Sequence, residues 1–132
     1  MLKYQVLTAT LIGLSASVAA QPVWASASDY AFEPVAKEIR NGPGSVLAVR
    51  LVHKPDSKFV EGAIVFRTRL DMSPENMEAM TSEVAAASST EPGVYSFRAD
   101  ITMAGNWALK LQAKVQGEAE TVQGTVVFTA AK

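Results

Sequence analysis

The sequence predicts an all-β fold: an immunoglobulin-like antiparallel β-sandwich of about six or seven strands. Three observations carry that prediction. Stretch after stretch alternates apolar and polar residues with period two, and turns rich in Gly, Pro, Asn and Asp separate them. The third observation is negative, because nothing beyond residue 27 sustains the apolar period of a helix. With 132 residues the chain has room for a single domain.

The N-terminus stands apart from this pattern. Met1-Leu2-Lys3 is a short positive start, and Tyr4 through Ala20 is uncharged, apolar and diluted by Thr, Ser and Gly. Small-residue cleavage patterns follow at Val18-Ala19-Ala20 and Ala25-Ser26-Ala27, and Pro22 ahead of the second favours a cut after Ala27. That order is the order of a secretory signal peptide, and it predicts export to the periplasm. A retained anchor is the alternative, but the run is short for the roughly 17–25 residues of a spanning helix and no basic stop follows it. The predicted division is a leader over residues 1–27 and a sandwich domain over residues 28–132.

Residues 28–40 form a weakly patterned entry with one edge strand expected near Val35 to Ile39, since Pro34 is tolerated at an edge or a strand start. Asn41-Gly42-Pro43-Gly44 is a turn. Residues 45–52 alternate, with Leu47, Val49 and Leu51 on one face, and Lys54-Pro55-Asp56-Ser57 turns the chain. Residues 63–70 place Ile64, Phe66, Thr68 and Leu70 on one face and Arg67 and Arg69 on the other. A long polar connection is expected over residues 71–90, ended by Glu91-Pro92-Gly93. Residues 94–101 turn Tyr95, Phe97, Ala99 and Ile101 inward. After the reversal Met103-Ala104-Gly105-Asn106, residues 107–115 alternate from Trp107, and residues 120–129 close the chain with Val122, Val126 and Phe128 on one face.

Charge nominates no partner. The net charge is −1 and the basic residues are scattered, so neither nucleic acid nor a membrane surface is indicated. There is no cysteine, which excludes disulfides, a thiol nucleophile and thiolate-held metals. His53 is the single histidine and reads as a solvated turn residue; no Gly-x-Ser-x-Gly or comparable context supports hydrolysis, and no enzyme is predicted. Asp71, Glu75, Glu78 and Glu83 lack calcium-loop spacing and read as solvated loop charges. Trp107 reads as core, and Arg67, Arg69 and Arg98 as outward and solvated.

Methionine is the unusual feature. Beyond the leader four remain: Met72, Met77 and Met80 in the expected loop, and Met103 in the turn after the strand ending at Ile101. Met77 and Met80 would share one side of a short helical turn. Both segments leave carboxyl ends of strands, so the four sulfurs gather at one end if those two strands run parallel or face one another across the sandwich. Thioethers are soft, neutral ligands suited to Cu(I), or to Ag(I) as its analogue. The same residues also serve as adaptable packing.

Asp71-Met72-Ser73-Pro74, Met77, Met80, Glu91-Pro92-Gly93-Val94-Tyr95 and Met103-Ala104-Gly105-Asn106-Trp107 together resemble the FixH/YtkA-like family of exported β-sandwich domains. The run Ala113-Lys114-Val115-Gln116-Gly117-Glu118 with Glu120-Thr121-Val122 is similar to the branch found beside heavy-metal efflux systems. The resemblance implies copper handling, as a buffer or carrier for an efflux pump or a delivery system, with Met72, Met77, Met80 and Met103 as ligands. FixH-branch members keep an N-terminal membrane helix, whereas this leader reads as cleavable, so membrane contact is expected only through a partner. A monomer or weak oligomer is expected. The competing expectation is a metal-free interaction module that docks on a pump adaptor or assembly factor.

Overall fold

The computed structural model describes residues 27–132, so the leader and its cleavage patterns lie outside the described residues apart from Ala27. Ten strands follow in order: β1 (Tyr30–Pro34), β2 (Glu38–Ile39), β3 (Gly42–His53), β4 (Lys58–Phe59), β5 (Ile64–Met72), β6 (Met77–Ser82), β7 (Val84–Ala87), β8 (Val94–Ile101), β9 (Gly105–Lys114) and β10 (Val122–Ala130). They make two sheets, ordered β1-β3-β8-β7 with β4 beside β3, and β2-β10-β9-β5-β6. Every pairing is antiparallel except β2 with β10. The expected sandwich is the observed architecture, and its higher strand count comes from short edge pieces such as β2 and β4, two residues each.

Period-two alternation built the central strands. Leu47, Val49 and Leu51 of β3 are fully buried, as are Trp107 and Leu109 of β9 and Val122 and Phe128 of β10. These inward faces meet in one core that also takes in Phe97, Ile101 and Leu70. Gly124 shows how closely the layers approach, because a Cβ there would come within 2.6 Å of Phe32 Cδ2. The expected edge strand near Val35 to Ile39 is displaced. Instead β1 ends at Pro34 and a bend separates it from the short β2. Pro34 lacks a backbone N–H, so it suits the end of a pairing rather than its middle.

Two further expectations are corrected. On β5 a bulge lies between Val65 and Arg67, which pair with the consecutive residues Ala113 and Gln112. The extra residue is Phe66, and the alternation slips there. Val65 packs against the core while Ile64 and Phe66 are exposed, at 66% and 50%. The long loop over residues 71–90 is also absent. A 3-10 turn (Ser73–Glu75) reverses the chain into β6, which pairs with β5, and β7 then pairs with β8 in the opposite sheet. Only Glu83 separates the two strands, so this segment switches sheets and covers one side of the sandwich.

Candidate functional site

The rim where β5 ends is organised by three neighbours in space. Pro74 at the start of the 3-10 turn supplies the fixed φ that a tight helical turn needs. Asn76 then takes the left-handed conformation, φ 58°, and its N–H donates to Ser73 O at 3.0 Å. That reversal sets Met77 directly opposite Met72 in the β5–β6 register. The reversal before β9 comes up against the same place. A Cβ on Gly105 would lie 3.0 Å from Met72 Cε and 3.3 Å from Glu75 Oε1, and its φ of +130° also favours glycine.

Glu75 fastens the two reversals together. Its Oε1 accepts from Asn106 N and Asn106 Nδ2, both at 2.9 Å, and Asn106 Oδ1 in turn accepts from Thr129 Oγ1 at 2.7 Å. Trp107 Nε1 donates to Met103 O at 3.0 Å, pinning the turn above a wholly buried indole. Glu75 is thus exposed, as expected of a loop charge, and is also a structural acceptor.

Asp71 departs further from its expected place. It lies on the outer face of its sheet opposite Ala108, yet it is fully buried. One oxygen accepts from Arg69 Nε at 2.9 Å and Lys110 Nζ at 3.0 Å, and the other from Ser73 N at 3.0 Å. Burial alone would push this carboxyl up, but the bonds from Ser73, Lys110 and Arg69 outweigh it and hold Asp71 well below the usual carboxylate range. Arg69 also donates to Glu78 O at 3.1 Å, so it is a brace for the corner rather than a free surface charge. The Asp-x-Ser-Pro spelling carried a signal for this: an Asp side chain commonly accepts from the backbone N–H two residues on.

The four methionines divide. Met72 is fully buried and belongs to the core, and Met77 packs half-buried against that core. Met103, 42% exposed, stands in the turn two residues before Gly105, whose Cβ position faces Met72. Met80, 39% exposed, is three residues along β6 from Met77. The segment is strand rather than a helical turn, so the expected helical pairing of Met77 with Met80 is overturned. The structure therefore draws Met72, Met77 and the Met103 turn to one rim and leaves Met80 further along the edge strand.

His53 ends β3 half-buried rather than free in a turn. Its Nδ1 lies 2.9 Å from Asp56 Oδ1, and its ring is tilted against Tyr30 with centroids 5.1 Å apart. No group of three or more His, Cys, Asp or Glu among the described residues is arranged to hold a metal. No described helix is long and apolar enough to cross a membrane.

These observations define an immunoglobulin-like β-sandwich with one rim built on the reversals after β5 and before β9. The YtkA-like family profile matches residues 25–112, and the chain belongs to that family. No curated protein matches the chain significantly. Among solved structures it is similar to the Lin-41 filamin domain, with 13% identity, TM-score 0.43, and coverage of 81% of this chain and 94% of that one. It is also similar to the Yersinia pseudotuberculosis adhesin InvE, with 16% identity, TM-score 0.38, and coverage of 80% of this chain but 28% of that one.

Proposed function

We propose that this YtkA-like protein is an exported carrier or buffer for a soft metal ion, Cu(I) by the chemistry of its ligands. Met77 and Met103 are the contacting thioethers, and Met72 forms the floor beneath them. The observation that supports the reading is the meeting of the two reversals. Met72 and Met77 are register partners, and the Met103 turn rests on Met72 through Gly105. The donor set fits a soft ion, since thioethers bind Cu(I) well and hard divalent ions poorly. A neutral pair of sulfurs at an exposed rim suits a carrier that must release its cargo to an efflux pump or a delivery system. No catalytic step belongs to the proposal.

The test is anaerobic titration with Cu(I) against a chromophoric chelator. The wild type should take up the ion, the double variant Met77→Leu/Met103→Leu should lose it, and Met80→Leu should match the wild type. Equal affinity in wild type and double variant overturns the proposal.

A second reading, docking on a pump adaptor or assembly factor without metal, is favoured by a different observation. The first half of β5 carries no strand on its β6 side, and Ile64 and Phe66 stand exposed there. Association with an adaptor in copper-free buffer, indifferent to added copper and lost on Phe66→Ser, would support it; loss on Met77→Leu alone would count against it.

A further inference from the structure

The outer face of the β2-β10-β9-β5-β6 sheet carries a groove of about 550 Å³. Its side chains are Arg67 and Arg69 from β5, Lys110 and Gln112 from β9, and Gln123 and Thr125 from β10. The register explains their grouping. Arg67 stands opposite Gln112 and Arg69 opposite Lys110, while Gln123 and Thr125 flank the same two β9 residues from the other side. All six are on outward positions of three adjacent strands.

Two like charges directly opposite one another on a sheet repel. Here Arg69 and Lys110 are held together by Asp71, which accepts from both. That single buried carboxylate is fully committed, since its other oxygen takes Ser73 N–H. Arg67 has no hydrogen-bonded or ionic partner among the described residues, and the groove lining contains no acidic side chain. The groove is left with a surplus of positive charge on a chain whose net charge is −1. Its remaining polar groups, two primary amides and a hydroxyl, can all donate.

We propose that this groove binds a small organic anion through a carboxylate or phosphate group. The guanidinium of Arg67 takes the anionic group two-pronged, a geometry that a planar fork matches and an ammonium does not. Lys110 adds charge, and Gln112, Gln123 and Thr125 receive the polar body of the ligand. The cavity volume falls within the roughly 300–1,000 Å³ of small-molecule sites. The ligand contacts proposed here use none of the methionines, so the two proposals are tested by different variants.

The test is amide NMR titration of the protein with citrate and, separately, inorganic phosphate, each against chloride at equal ionic strength. Saturable shifts confined to Arg67, Arg69, Gln112, Gln123 and Thr125 are expected, and the tighter probe identifies the anionic group. Arg67→Gln should weaken binding at least tenfold, Arg67→Lys should fall between, and Arg98→Gln on the opposite sheet should change nothing. Because Arg67 is exposed and unpartnered, its variants should keep the wild-type spectrum away from the groove. Shifts that rise linearly with ionic strength and are equal in chloride would overturn the proposal. So would equal affinity in wild type and Arg67→Gln.

Discussion

The two halves of β5 meet opposite fates, and the more apolar half is the more exposed. In the first half Ile64 and Phe66 are exposed, because the bulge turns them outward and no β6 residue pairs with them. In the second half Leu70, Asp71 and Met72 are fully buried; β6 flanks all three, and β9 also pairs with Leu70 and Asp71. A phenylalanine ends up in solvent and an aspartate out of it. Burial on a sheet is decided by strand neighbours and register as much as by the residue's own polarity.

The comparison can be broken most forcefully at its apolar positions. Leu70→Ala should cost about 2–5 kcal/mol in urea unfolding, and Ile64→Ala no more than about 0.5 kcal/mol. Similar costs at the two sites would mean that the first half is covered after all. Asp71→Asn should come next, at about 1.5–3 kcal/mol, nearer the lower figure because Arg69 and Lys110 are themselves half in solvent.

That effect carries a pH signature. A carboxyl held below its unfolded value adds stability that is complete above the unfolded pKa, about 3.9, and is lost as pH falls through the folded one. The deficit of Asp71→Asn relative to wild type should therefore shrink as unfolding is followed from neutral pH to below about pH 4. A constant deficit would show that Asp71 is not the charged partner of Arg69 and Lys110.

Gly105→Ala probes the meeting of the two reversals and should destabilise by about 1–3 kcal/mol, through both its positive φ and the clash with Met72. It should also shift the Met72 methyl resonance, which Phe66→Ser should leave in place. Phe66→Ser is the smallest effect, within about 0.5 kcal/mol of wild type by thermal or urea unfolding.

The long inward-facing strands were plain in the sequence because their Leu, Val, Phe and Trp residues recur every second position against polar neighbours. That holds for Leu47 to Leu51, Phe97 to Ile101, and Trp107 to Ala113. The segment from Met77 to Ala87 was not legible, since Ala85, Ala86 and Ala87 have low intrinsic strand preference. Pairing with β8 imposes the extended form on them, and no local pattern announces that partner. The bulge at Phe66 was hidden for a related reason, because an inserted residue leaves the local alternation intact while reversing its meaning. At the rim, the place of Met72 in the core emerged only with the structure, because a methionine next to a turn reads equally as loop or as core.

The parallel contact between β2 and β10 joins Glu38 and Ile39 to Thr129 and Ala130, segments from opposite ends of the described chain. A chain in which the nine-residue β10 has not yet docked would therefore present one open flank of β9 and an orphaned β2. Closing so distant a pairing carries a loop-closure cost that nearer contacts escape, so the β2–β10 contact is expected to form late in folding.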